Sequence, residues 1–254
     1  MRLKRRIFIS EKQPIIKIPN WLFFIDEQYM KECNLYRISV CSHLYQNANM
    51  WHYTFFVPDK YCASIQKVTA AEKRNALYQA NKIIEWLKQK GYLTEVNKYG
   101  TVREFKMSYD NLINPKPFVL FSSNEYSIIA ADCTTEGKNK NAMLAVLGAI
   151  KYGVNRINDN FPKNVCSWST AKLAKLIGVN KETFSKYRNE LERIGLLKHK
   201  TIRIPLKKKN SFLNCTLNIC TSDKDYIEHL NNATKFLKDN FTGKQKPTDY
   251  NDED

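Results

Sequence analysis

The chain has 254 residues, with 41 Lys and Arg against 25 Asp and Glu, a formal net charge of +16. That length admits one large or two modest domains, and that charge favours a polyanionic partner, either nucleic acid or an acidic membrane surface. No apolar run reaches the roughly eighteen residues that span a bilayer, and the basic start MRLKRRIFISEK lacks the apolar stretch of a signal peptide.

Residues 1–12 read as a basic arm running into a strand at Arg6–Ile9. An extended segment led by Pro14, PIIKIPNWLFF, follows, then a polar stretch, an apolar helix over Leu35–Tyr45 and a strand-like piece over Trp51–Val57. The segment Pro58–Val68 has no clean glycine turn. After it comes a long helix, Thr69–Lys90, with a buried stripe of Ala76, Leu77, Ala80, Ile83, Ile84 and Leu87. Arg74, Gln79, Lys82 and Lys88 lie on its other faces. Gly91 ends it, and YLTEVNKYGTVREFKM reads as a hairpin with its tip at Asn97–Gly100.

The same order of features returns later. PFVLFSSNEYSII, led by Pro117, reads as extended; an apolar helix follows over Ala142–Tyr152, then a strand-like piece over Val165–Trp168. Pro14 and Pro117 stand 103 residues apart, and Gly91 and Gly195 stand 104 apart. A near-constant offset across proline, helix, strand, helix and glycine implies two tandem copies of one unit, about 13–110 and 115–220.

The second copy holds the clearest local pattern, Ser169 to Lys200. Ser169 suits an N-cap. Leu173, Ala174 and Ile177 mark a buried helical face, and Gly178 suits the left-handed residue that ends a helix. Val179 tucks under the turn and Asn180 caps a second helix, which buries Phe184, Tyr187, Leu191 and Ile194. The opposite face carries Lys181, Thr183, Ser185, Lys186, Arg188 and Asn189, with Glu182 as the one carboxylate on its first half. Gly195 stops the helix, and Leu196-Leu197 lead into a basic hairpin whose strands are Thr201–Leu206 and Ser211–Ile219 and whose tip is Lys207, Lys208, Lys209 and Asn210. Residues 221–241 read as a closing helix with a capping box at Ser222 and Asp225 and an apolar stripe of Tyr226, Ile227, Leu230, Ala233, Leu237 and Phe241. That stripe packs either on the second copy or on a second protomer, so a homodimer is left open. Residues 242–254 read as a disordered acidic tail.

Helix, glycine turn, helix, GLL and strand, over about sixty residues, resemble the winged helix-turn-helix DNA-binding superfamily. The resemblance implies an α+β fold of two tandem winged-helix domains with a C-terminal helix. It also implies that the second helix of the motif enters the major groove of double-stranded DNA, where short hydroxyl, amide and basic groups meet base edges or phosphates. The residues so implicated are Asn180, Lys181, Thr183, Ser185, Lys186, Arg188 and Asn189 on the helix. On the wing they are Lys198, Lys200, Arg203, Lys207, Lys208 and Lys209, and in the first copy, more weakly, Arg74, Lys82, Lys98 and Arg103. The architecture is similar to the tandem winged-helix replication initiators of plasmids and phages, which read repeated origin sites and meet replication machinery. A transcriptional regulator, or a transfer-origin accessory protein of a mobile element, would present the same surface. A winged-helix protein-interaction scaffold is the alternative of another class.

Nothing in the sequence assembles catalysis: there is no Walker loop, no GxGxxG and no HxH pair. Cys41, His43 and His52 match no zinc spacing. The seven cysteines form no CxxC pair and read as buried free thiols of a cytoplasmic protein. The expectation is a non-enzymatic protein without cofactor or metal.

Overall fold

The structure is a computed structural model and describes residues 15–23, 35–65, 69–136, 139–154, 161–162, 164–207 and 211–244. The basic arm, its expected strand at Arg6–Ile9, Lys208, Lys209 and most of the acidic tail lie outside the described residues.

The fold is mixed helix and small antiparallel sheets. Its first half runs β1 (Ile15–Pro19), a 3-10 turn (Asn20–Phe23), α1 (Arg37–Gln46), β2 (Tyr53–Phe56), α2 (Pro58–Ile65), α3 (Ala70–Gln89) and the hairpin β3 (Leu93–Tyr99) and β4 (Val102–Met107). The second half runs β5 (Phe118–Ser122), α4 (Ser123–Glu136), α5 (Lys140–Val154), β6 (Val165–Cys166), α6 (Thr170–Leu176), α7 (Lys181–Arg193), β7 (Leu197–Pro205), β8 (Phe212–Cys220) and α8 (Tyr226–Phe241). Two three-stranded sheets have matching orders, β2-β4-β3 and β6-β8-β7.

Sequence explains the helix ends. Thr69 and Glu72 cap α3 reciprocally, Thr69 Oγ1 accepting from the Glu72 amide and the Glu72 carboxylate from the Thr69 amide. Gly91 and Gly195 both take positive φ and close α3 and α7 with one pattern of bonds. Gly91 N donates to Lys88 O and Tyr92 N to Leu87 O; Gly195 N donates to Glu192 O and Leu196 N to Leu191 O. A Cβ would be strained in that left-handed conformation, which is why glycine stands there.

A two-stranded ribbon joins the halves. β1 and β5 pair antiparallel, Ile15 with Ser122 and Pro19 with Phe118, around Lys17 and Leu120. Behind the ribbon α1 packs against α5. Gly148 permits that approach: a Cβ there would stand 2.7 Å from Ile38 Cδ1 and 3.2 Å from Phe23 Cζ. Rings continue the contact, Phe23 to Tyr152 at 5.0 Å and Tyr152 to Trp168 at 5.7 Å. One apolar core thus runs from Ile16 through Phe56, Ile84, Phe121 and Leu147 to Phe184 and Leu197. A second cluster lies on the far face of the second sheet. There Ile202, Ile204, Leu213 and Leu217 meet Ala233 and Leu237 of α8, so the closing helix packs on its own chain.

Several expectations are corrected. The residues after Ser122, read as extended, form α4. Ser122 Oγ accepts from Glu125 N at 3.2 Å and the Glu125 carboxylate accepts from Ser122 N at 2.8 Å, a reciprocal cap in the polar run SSNE between two apolar segments. Pro58–Val68, where no turn was legible, contains α2, with Pro58 at its start. Gln79 is buried. The first hairpin turns one step later than expected: Tyr99 pairs with Val102, and Gly100 at φ +61° forms the turn with Thr101. Ser222 and Asp225 make no capping box; Asp225 makes no side-chain cap bond, and Asp223 instead accepts from the Asp225 amide at 3.0 Å. Ile227, expected on the apolar stripe of α8, is exposed.

No helix among the described residues is long and apolar enough to cross a membrane.

Candidate nucleic-acid interface

α6 and α7 form the site's frame. Ser169 Oγ accepts from Lys172 N at 3.1 Å, and Asn180 Oδ1 accepts from Thr183 N at 2.7 Å. Between the helices Gly178 takes φ +69°, its amide donating to Lys175 O and that of Val179 to Ala174 O. Val179 packs against the main core. α7 rests on α5, α6 and β7 through buried Phe184 and Leu191. Its far end is pinned by Arg193, which bonds Asp132 of α4 and, at 2.8 Å, Glu190.

The remaining face of α7 is open. Asn180, Lys181, Lys186 and Asn189 are exposed, and Thr183 and Ser185 are half-buried. Lys186 Nζ sits 5.5 Å from the centre of the Tyr187 ring, which steadies its stem. Arg188 departs from the expected face. It is buried, its guanidinium donates to Thr170 Oγ1 at 3.4 Å, and burial pulls its pKa below the ordinary arginine value against the opposing pull of Glu192. Helical geometry explains this: Arg188 follows Phe184 by four and precedes Leu191 by three, so it shares their stripe.

On the second hairpin Lys200, Arg203 and Lys207 are exposed. Arg203 stacks over Phe212, its guanidinium carbon 3.6 Å from the ring centre. Lys198 is drawn to Glu192 at 3.6 Å, and the same carboxylate lies 2.7 Å from His199 Nδ1. Burial holds the His199 pKa below its usual value, and Arg188 adds to that, against Glu192.

The first half offers less free charge. Arg74 and Lys98 are exposed, and Lys82 Nζ lies 5.3 Å from the Tyr78 ring centre. Arg103, expected to reach outward, turns inward and bonds Glu95 at 3.0 and 2.8 Å and Glu85 at 2.5 Å. Lys88 joins the same carboxylates at 2.7 and 3.1 Å. Side-chain bonds from Arg103 and then Lys88 hold the Glu95 carboxyl down at about 2. This network fastens α3 to its hairpin and spends the cation that a phosphate contact would need.

Sequence reasoning passed over Lys172 and Lys175. Both are exposed on α6, beside the buried pair Leu173 and Ala174, and Lys172 Nζ lies 3.9 Å from the Trp168 ring centre. Their signal was the same three-residue spacing that marked α7. Among the described residues no group of three or more His, Cys, Asp and Glu side chains is placed to hold a metal ion. Burial pushes the thiols of Cys41 and Cys166 up to about 12 and that of Cys220 to about 11.

No protein family and no curated protein matches the chain. Among solved structures it is similar to the Pi initiator protein in complex with iteron DNA, at 10% sequence identity and a TM-score of 0.44 over 83% of this chain and 98% of that one.

Proposed function

We propose that the chain is a sequence-specific double-stranded DNA-binding protein of two tandem winged-helix units, without catalysis of its own. In this reading α7 enters the major groove and the β7–β8 hairpin lies on the phosphates. The observation that carries it is the open face of α7. Lys181, Thr183, Ser185, Lys186 and Asn189 remain accessible on a helix held at both ends and along its back. Cations and amides on a rigid helix suit base edges and phosphates, and the net charge of +16 supplies the long-range attraction.

Support for a duplicated unit is the repeated order of elements, the matching sheet orders and the self-complementary register of β1 and β5. The halves then divide the work. The first spends Arg103 and Lys88 internally, while the second keeps Lys186, Lys200, Arg203 and Lys207 exposed at the surface. Such a chain fits a replication initiator of a plasmid or phage that reads repeated origin sites.

Selection of bound duplexes from a random pool, with footprinting of the winner, tests the proposal. Direct repeats protected over about two helical turns are the expected result. A short palindrome would move the role to that of a repressor, and no enrichment would end the DNA-reading proposal.

A further inference from the structure

The two halves flank the β1–β5 ribbon with matching features. Lys17 and Leu120 face each other at its centre. His52 and Asn164, both at positive φ, stand just before β2 and β6. β4 ends at Met107 opposite Leu93, and β8 ends at Cys220 opposite Leu197. Beyond those residues the chain takes different routes. After Met107 it makes the turn Tyr109–Ile113, which packs against β1. Leu112 is buried there, Ile113 packs against the core, and Lys17 Nζ donates to Asn114 Oδ1 at 2.6 Å. After Cys220 it runs through residues 221–225 into α8 instead. Asp223 holds that route. Its carboxylate accepts from Asn164 at 2.9 Å and from the Asp225 amide at 3.0 Å, and it lies 2.6 Å from His229 Nδ1. Beside β5 this route leaves a groove of about 600 Å³, a size that suits a ligand cleft. Among the described residues, Phe118, Leu120, Val154 and Cys220 form its apolar lining, and Lys151 and Lys224 are its cations.

We propose that this groove binds a short peptide of a partner protein, one with two adjacent aliphatic side chains and a carboxylate, laid along the free edge of β5. The first half supplies the pattern: beside β1, the matching strand, lies a segment of this chain that buries Leu112 and packs Ile113. Leu120 makes the edge of β5 available. Its carbonyl accepts from Lys151 Nζ at 2.8 Å, so it points away from β1. In an antiparallel pair the amide of such a residue points the same way, where an added strand can accept from it. The Leu120 side chain is exposed and offers apolar surface to the occupant. Lys151 is matched by Glu125 at 2.7 Å, which leaves exposed Lys224 to receive a carboxylate. The net charge of +16 also favours an acidic peptide over a basic one. The groove is independent of the DNA-binding reading and stands whether or not α7 reads a duplex.

The probe is the capped synthetic peptide SYDNLIN, the chain's own residues 108–114. It is titrated into the isotope-labelled full chain and followed by amide NMR. Shifts should move at Leu120, Val154, Cys220 and Lys224. At a peptide concentration about ten times Kd, exchange of the Leu120 amide should slow about tenfold, because only the free fraction exchanges. The same peptide with asparagine at its leucine and isoleucine positions should bind at least about tenfold more weakly, since it loses both apolar anchors. The Leu120→Asp chain should also lose affinity for SYDNLIN, with its spectrum unchanged away from the groove because Leu120 is exposed. No shifts at millimolar peptide overturn the proposal, as does equal binding by the polar peptide or by the Leu120→Asp chain. Shifts at the same residues that grow with protein concentration alone assign the groove to a second copy, and shifts there with duplex assign it to DNA. Either result overturns the peptide reading.

Discussion

Lys186 and Arg188 stand two residues apart on α7 and meet opposite fates. Lys186 is exposed, while Arg188 is buried beside Thr170 with its pKa pulled down by burial. In the first half Arg103 is taken up by Glu95 and Glu85. Cations that a sequence counts alike are thus divided into surface and scaffold. Glu95 gives this a pH signature. Its carboxyl is held at about 2, against an ordinary 4.5, by bonds from Arg103 and Lys88. A depressed carboxylate contributes its full stabilisation above the unfolded value and loses it as pH falls through the folded one. The window is therefore about pH 4.5 down to about 2. Glu95→Gln should lower the thermal midpoint by a few degrees at pH 7, and the gap to the wild type should close as pH approaches 2. A gap that stayed constant with pH would show that the carboxylate does not set the stability of this network.

At the level of helices and strands, the crossing of α1 and α5 depends on Gly148. Ile38, Phe23 and Phe121 all approach the space where its side chain would stand. Gly148→Val should destabilise by about 1–3 kcal/mol through overpacking, measured as a lower denaturant midpoint with an unchanged slope. An unchanged midpoint would mean that the halves do not pack as closely as described. Much at this scale was legible in the sequence. Glycines at 91, 178 and 195 ended helices, and Ser169 and Asn180 began them, because caps are local chemistry. α4 went unread although its cap is local chemistry: Ser122 and Glu125 stand at capping-box spacing in the polar run SSNE, and the extended apolar residues before it drew the whole segment into a strand. The burial of Arg188 was hidden for a related reason: its charge argued for solvent while its position belonged to the stripe of Phe184 and Leu191. Where α8 docks was also beyond reach, since an apolar stripe specifies a partner surface without saying which one.

For the whole molecule, the two halves share one core across the β1–β5 ribbon, so α7 and its wing stand on a support larger than their own unit. In the proposed reading the net charge of +16 attracts any polyanion, and the open face of α7 chooses among DNA sequences. That choice is the central claim. The most direct measurement is the ratio of affinities for a selected duplex and a scrambled one, at fixed salt, for the wild type and for Lys186→Ala with Asn189→Ala. Each base contact supplies about 1–3 kcal/mol of discrimination, so the ratio should fall by about one order of magnitude or more while binding to the scrambled duplex changes far less. An unchanged ratio, with both duplexes weakened alike, would contradict the account and reduce α7 to a phosphate-binding surface.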